Sequence, residues 1–223
     1  MTVQRLALAL SLALFTVAPV ALASDDHSKV NGSIDIAAAE VARDVDTVNG
    51  SIGIGAGARI EDAETVNGGI EVGNDVHASS LSTVNGNIQV GTGLQLEGDI
   101  ESVNGGIFVD RGGKIGGGIE TVNGSIGLVG TEVIGDIETV TADLTVGADS
   151  HVHGGIHYEK PQKSWISFRK RDPRVIIGPN ARIDGALVFE RKVELYVHES
   201  AKTGPITGAT AVRYEGNRAP NGN

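Results

Sequence analysis

The chain of 223 residues contains no cysteine, so neither disulfide bonds nor a lipid-modified cysteine can hold it together. Secreted domains with small cores commonly rely on disulfides for their stability. A chain without them has to be stabilised by packing and hydrogen bonds alone. We therefore expect a fold with a self-sufficient core.

Long apolar runs are also lacking beyond residues 1–23, MTVQRLALALSLALFTVAPVALA. That segment has one Arg, then an apolar stretch, then the small-residue triplet 21–23, which is typical of a secretory signal peptide cut before Ser24. A membrane span needs about 20 apolar residues, and no later stretch is that long. We expect export to the periplasm or to the extracellular cell surface, with no transmembrane segment in the mature chain.

Basic residues are scarce in the first part of the mature chain. Residues 24–157 contain 21 acidic and 5 basic residues, whereas residues 158–223 contain 7 acidic and 12 basic residues. An acidic body repels the phosphates of nucleic acid. We therefore expect no nucleic-acid partner.

Sequence motifs of catalysis are missing as well. The chain has no nucleophile elbow, no phosphate-binding loop and no C-x-x-C pair. We predict a protein that is not an enzyme and that uses no cofactor. A hexapeptide-type transferase is the alternative enzyme class, and it would require a trimer with a His in a cleft between subunits.

What the chain does contain is a repeat. V-N-G triplets and one V-T-A begin at intervals of 18 or 19 residues, at Val30, Val48, Val66, Val84, Val103, Val122 and Val140. This period is too short for a helical hairpin of about 34 residues. It predicts an all-β fold, a single-stranded parallel β-helix (β-solenoid) with triangular coils of about 18 residues. The handedness is left open.

A finer period of six residues runs through each coil, as at Val48, Ile54 and Ile60, and predicts inward positions, with Ile52 as a second one. Asn-Gly is predicted to turn a corner, because both residues tolerate positive φ. Stacked coils should then align the Asn side chains in a hydrogen-bonded ladder. Its members are Asn31, Asn49, Asn67, Asn85, Asn104 and Asn123.

The repeat is interrupted once. We predict a solenoid over residues 24–157 with about seven coils, a basic protruding loop over 158–174, further coils over 175–214 and a flexible tail over 215–223. Cations interleaved with aromatic residues can contact anionic polymers, lipid headgroups or an acidic protein face. The candidate interaction residues of the loop are Lys160, Lys163, Trp165, Phe168, Arg169, Lys170 and Arg171.

Two sets of polar residues could bind metal. The segment HVHGGIH offers His151, His153 and His157, which could share Zn²⁺ or Ni²⁺; solvated surface histidines are the other interpretation. The spacing of Glu101, Glu120 and Glu138 predicts a stacked acidic row, which we interpret as a hydrated face. His198 is a further His, with nothing in the sequence to place it near the others.

The repeats resemble two kinds of bacterial protein. The V-N-G-x-I coils resemble those of putative-adhesin repeat proteins. The I-G-x-x-A-x-I-x-G blocks and the G-D-I-E turns at Gly98 and Gly135 resemble bactofilins, which are polymer-forming β-helical scaffold proteins. The resemblance implies an envelope scaffold or adhesin-like module that self-associates end to end or binds a cell-envelope polymer or protein. A metal-binding periplasmic protein is a further alternative.

Overall fold

The computed structural model describes residues 26–160 and 171–220, and these residues form 27 β-strands and no helix. The strands build three parallel sheets, which are the three sides of a β-solenoid of about ten coils. The predicted all-β solenoid is therefore confirmed. Within the described residues no helix is long and apolar enough to cross a membrane.

Sheet A has ten strands. They are β1 (His27–Asn31), β3 (Val45–Asn49), β5 (Asp62–Asn67), β8 (Ser80–Asn85), β11 (Ile100–Asn104), β14 (Ile119–Asn123), β17 (Ile137–Thr139), β20 (Ile156–Tyr158), β23 (Leu187–Phe189) and β26 (Ile206–Thr207).

Sheet B also has ten strands. They are β2 (Ile34–Ile36), β4 (Ile52–Ile54), β6 (Ile70–Val72), β9 (Ile88–Val90), β12 (Ile107–Val109), β15 (Ser125–Leu128), β18 (Asp143–Val146), β21 (Arg174–Ile177), β24 (Glu194–His198) and β27 (Ala211–Tyr214).

Sheet C has seven strands. They are β7 (His77–Ala78), β10 (Gln95–Leu96), β13 (Lys114–Ile115), β16 (Glu132–Val133), β19 (His151–Val152), β22 (Arg182–Ile183) and β25 (Lys202–Thr203). In all three sheets each strand pairs with its counterpart one coil later, as Thr47 pairs with Thr65 and Thr65 with Thr83.

The core is a continuous column of aliphatic side chains between the three sheets. In a strand alternate residues point to opposite faces, so Ile52 and Ile54 are buried while Gly53 between them lies on the outer side. Isoleucine and valine suit such strands because their branched side chains pack well on a pleated surface. The core is therefore repeated coil by coil along the solenoid axis.

The predicted inward position at Val48 is wrong. In strand β3 the buried residues are Val45 and Thr47, whereas Val48 is half-buried on the outer side. The Thr47 hydroxyl donates a hydrogen bond of 3.1 Å to the carbonyl oxygen of Gly32 in the preceding coil. Because that bond satisfies the buried hydroxyl, Thr can occupy an inward position that the six-residue period assigned to Val.

The reason predicted for glycine at the Asn-Gly corner is wrong at most coils. Only the first of these glycines, Gly32, has positive φ. A Cβ on Gly86 would lie 1.9 Å from the carbonyl oxygen of Gly68 one coil earlier. Glycine is needed there because the stacked backbones touch, and the left-handed turns lie instead at the corner before sheet C, as at Asp75 and Asp149.

The repeat is interrupted at the Asn-Gly corner itself. Strand β20 ends with Tyr158, which is fully buried and belongs to the core, and β21 begins at Arg174. Both ends of the predicted loop are thus strand residues. Residues 161–170 lie outside the described residues.

The end of the chain returns along sheet B. The Arg174 guanidinium donates to the carbonyl oxygen of Ala219 at 3.4 Å and also to that of Pro220. Ala219 and Pro220 of the predicted tail therefore lie beside β21.

Candidate functional site

The six predicted asparagines lie one above another at the vertex between sheets A and B. From Asn49 onward, each side-chain amide donates to the side-chain oxygen of the Asn in the preceding coil, at 3.0–3.1 Å. The ladder ends at Thr141, whose hydroxyl donates to Asn123 Oδ1 at 2.7 Å. Each amide oxygen of the row thus accepts a hydrogen bond from the next coil, so this vertex has a structural role in joining the coils.

An acidic row occupies the outer side of sheet A. Glu101 pairs in register with Glu120, and Glu120 pairs with Glu138. Burial, followed by the charges of Glu138 and Glu101, raises the pKa of Glu120 from 4.5 to about 8. The pKa of Glu101 and that of Glu138 are also raised, in each case mainly by burial. The row can therefore hold protons near neutral pH.

Two aspartates next to this row have a structural role. Asp99 Oδ1 accepts a hydrogen bond from the backbone N–H of Gly118 at 2.6 Å. Asp136 Oδ1 accepts one from Gly155 N–H, also at 2.6 Å. Each carboxylate thus ties one coil to the next.

A mixed His and carboxylate cluster lies on the outer side of sheet C. Glu132 pairs in register with His151, and His153 follows on the same side of the strand. His153 Nε2 lies 2.9 Å from Glu132 Oε1, and His151 Nε2 lies 2.8 Å from Asp184 Oδ2. The two imidazole rings stack with their centroids 3.9 Å apart.

Each carboxylate of the cluster is held by hydrogen bonds from neighbouring side chains. Arg182 Nε donates to Asp184 Oδ1 at 2.5 Å, and this bond, followed by that from His151, lowers the pKa of Asp184. The hydrogen bond from His153 lowers the pKa of Glu132. Both carboxylates are therefore ionised at neutral pH and can act as ligands or as acceptors.

The structure brings together only two of the three predicted histidines. His157 lies in strand β20 on sheet A, in register with Glu138, and its Nε2 is 3.6 Å from Glu190 Oε1. His198 is buried in sheet B against the Tyr214 ring, with its Nδ1 2.7 Å from Ser200 Oγ. Neither residue belongs to the cluster of His151 and His153.

Sequence reasoning missed Glu132 and Asp184. Glu132 stands 19 residues before His151, which is one coil, so the repeat period could have found it. Asp184 follows His153 by 31 residues, because the interruption of the repeat between β20 and β21 lies between them. A prediction that assumes a constant repeat period therefore cannot place Asp184 beside His153.

The predicted basic loop is described only at its edges. The Lys160 N–H donates to Glu190 Oε2 at 3.3 Å, and the Arg171 guanidinium pairs with Asp143. The other candidate residues lie outside the described residues, namely Lys163, Trp165, Phe168, Arg169 and Lys170.

No family model, curated protein or solved structure matches this chain. Its function must therefore be inferred from its own residues and their geometry. Three surfaces are available for that inference: the open ends of the solenoid, the acidic row and the His and carboxylate cluster.

Proposed function

We propose that the protein is an exported, non-catalytic structural scaffold or adhesin-like module of the cell envelope, in the periplasm or at the cell surface, which self-associates end to end. The signal-peptide pattern of residues 1–23 supports export. The resemblance of the repeats to putative-adhesin and bactofilin coils supports a scaffold. In this role the rod displays its repeated polar faces to an envelope polymer or protein, while its ends bind further copies.

The observation that carries this proposal is the open strand edge at each end of the rod. Strands β1 and β2 are terminal in sheets A and B at one end, and β26 and β27 are terminal at the other. Among the described residues no strand pairs with their outer edges. Unpaired N–H and C=O groups along such edges are templates for pairing with another chain.

Asp35 illustrates the open edge. Ile34 N–H donates to Ser51 O at 3.0 Å, and Ile36 O accepts from Gly55 N–H at 2.9 Å. Because alternate residues of a parallel strand bond to opposite sides, Asp35 between them directs its backbone groups away from the second coil. A strand from another copy can bind there.

Exposed aliphatic residues at the ends support the same association. Val30 in β1 is 61% exposed and Val212 in β27 is 51% exposed. Val48, which occupies the position of Val30 one coil further in, is half-buried because it has a neighbouring coil on each side. A second copy stacked on the end would therefore remove Val30 from water.

The distribution of charge along the chain favours association between opposite ends of two copies. Residues 24–157 carry 21 acidic and 5 basic residues, whereas residues 158–223 carry 7 acidic and 12 basic residues. Complementary charge directs partners into one orientation. Head-to-tail growth places the acidic part of one copy next to the basic part of another.

Light scattering of the purified protein over a wide concentration range tests the proposal. We expect mass to grow with concentration. Asp35→Pro removes an edge N–H and should abolish the growth, because proline cannot donate to a strand ladder. Asp35→Ala is the matched control, since it removes the same charge but keeps the N–H, and it should assemble. A persistent monomer would overturn the proposal, and a discrete trimer would favour the transferase alternative.

A further inference from the structure

We propose that Glu132, His151 and His153 form a binding site for Zn²⁺ on the outer side of sheet C, with Asp184 as the carboxylate that orients a histidine ligand. One candidate ligand atom from each of the three residues lies within 4.8 Å of the other two. This site is independent of end-to-end association, because it lies on the side of the solenoid.

The chemical types of the ligand atoms favour Zn²⁺ over Ca²⁺ and Mg²⁺. Two imidazoles and one carboxylate are a donor set that Zn²⁺ uses in proteins, with bonds of about 2.0–2.2 Å. Ca²⁺ and Mg²⁺ prefer oxygen ligands throughout. On sheet A a single imidazole, that of His157, follows the acidic row, whereas the sheet C cluster brings two imidazoles and a carboxylate together.

The strands fix the ligands in place. Glu132 and His151 are register partners on adjacent coils, and neighbouring parallel strands lie about 4.8 Å apart. His153 follows His151 by two residues, so both project from the same face of the chain. Their backbones are held by ladder hydrogen bonds, such as that from His153 N–H to Val133 O at 2.8 Å. Only side-chain rotation is then needed to close the ligand atoms around an ion.

The contacts between these side chains already resemble a ligand shell. Glu132 Oε1 and His153 Nε2 are joined by a hydrogen bond of 2.9 Å, so both ligand atoms already point toward the same space. The ion replaces the proton that this pair shares. Because the side chains of His153 and Glu132 are 38% and 40% exposed, water has access to a fourth coordination position.

Asp184 supplies the support that metal-bound histidines usually have. Metal-ligating His residues commonly donate their other ring N–H to a carboxylate, which fixes the ring orientation. Asp184 Oδ2 lies 2.8 Å from His151 Nε2, which leaves Nδ1 of that ring for the ion. Arg182 holds the second Asp184 oxygen at 2.5 Å, so the carboxylate cannot turn away easily.

A bound ion would join consecutive coils just before the repeat is interrupted. Glu132 belongs to β16, the histidines to β19 and its following residue, and Asp184 follows β22. The interruption of the repeat between β20 and β21 lies between the second and third of these coils in sequence. The ion would therefore join the two coils before the interruption, and the hydrogen bond from His151 to Asp184 links them to the coil after it.

Zn²⁺ titration of the untagged protein, followed by calorimetry and by competition with a chromogenic chelator, tests the proposal. We expect one Zn²⁺ per chain. His153→Ala should remove this binding, and Asp184→Asn should weaken it by about 10-fold, as is usual for the loss of an orienting carboxylate. Co²⁺ should give visible absorption bands of low-coordinate nitrogen and oxygen ligation, which the His153→Ala variant lacks.

Two histidines on the same molecule provide matched controls. His77 is an exposed outward residue in β7 of the same sheet C, and His157 is the sequence-predicted ligand that lies on sheet A. His77→Ala and His157→Ala should both bind Zn²⁺ like the unchanged protein. No Zn²⁺ binding by the unchanged protein, or equal binding by a folded His153→Ala variant, would overturn the site.

Discussion

At the scale of single residues, the carboxyl group of Glu120 has an unusual pKa. Burial and the neighbouring Glu138 and Glu101 raise its pKa from 4.5 to about 8. A raised pKa means that the folded state binds the proton more tightly than the unfolded state does. The resulting stabilisation is fully present below about pH 4.5 and is lost as the pH rises through about 8.

Glu120→Gln should remove that dependence. The amide has nearly the same shape and carries no charge, so the variant should unfold at a higher temperature than the unchanged protein at pH 8–9. Near pH 4.5 the two proteins should unfold at similar temperatures. Thermal unfolding followed by circular dichroism from pH 4 to 9 measures the difference. Glu71→Gln, an exposed charge removal on sheet B, is the control, and an equal gain in that variant would contradict the explanation.

At the scale of elements, the vertex between sheets A and B holds successive coils together by side chains. Asn85 both donates to Asn67 and accepts from Asn104, at 3.1 Å in each case. Asn31 is terminal in the row and only accepts, from Asn49 at 3.0 Å. The two residues therefore differ in the number of ladder bonds that they make.

Asn85→Ala breaks two ladder bonds and Asn31→Ala breaks one. At about 0.5–1.5 kcal/mol per hydrogen bond, the free energy of unfolding should fall by about 1–3 kcal/mol for Asn85→Ala and by about half as much for Asn31→Ala. Denaturant unfolding of both variants measures the two values. Equal losses of unfolding free energy in the two variants would show that stability does not depend on the number of ladder hydrogen bonds broken.

The same elements show what sequence can and cannot predict. The strands and their period follow from the recurring Ile and Val residues, because an inward side must be apolar in every coil. Thr47 was not expected inside, since its burial depends on the carbonyl of Gly32 from another coil. Gly86 was recognised as a corner, but the contact that requires glycine, with Gly68 O, exists only after stacking.

The candidate site also contains contacts that the sequence alone does not predict. His151 and His153 are neighbours in sequence, so their proximity was predicted. His157 is also close to these two histidines in sequence, but a corner of the coil places it on sheet A. Asp184 reaches the cluster across the insertion, and only the register of β19 with β22 reveals it.

At the scale of the whole molecule, the stability of the solenoid and the proposed assembly have one physical origin. Each coil buries its core and satisfies its strand edges only against neighbouring coils, so the energy of a solenoid lies largely in the interfaces between its repeats. Among the described residues, the first and last coils have a neighbouring coil on one side only. The proposed end-to-end association would extend the same parallel pairing from one molecule to the next.

Continued register across such a junction places β27 of one copy against β2 of the next. Val212 and Asp35 occupy the same outward row of sheet B, as shown by the pairing of Val212 with Tyr196 and of Asp35 with Gly53. Strands paired in this way lie about 4.8 Å apart, which is within the Cα separation that a disulfide can bridge. The chain has no cysteine of its own, so introduced thiols would be the only ones present.

Oxidation of a protein carrying both Asp35→Cys and Val212→Cys tests head-to-tail association most directly. We expect a ladder of covalent oligomers on a non-reducing gel, and we expect each single variant to remain monomeric, because unlike ends meet. Monomers alone from the double variant, or covalent dimers from a single variant, would contradict head-to-tail growth of the scaffold.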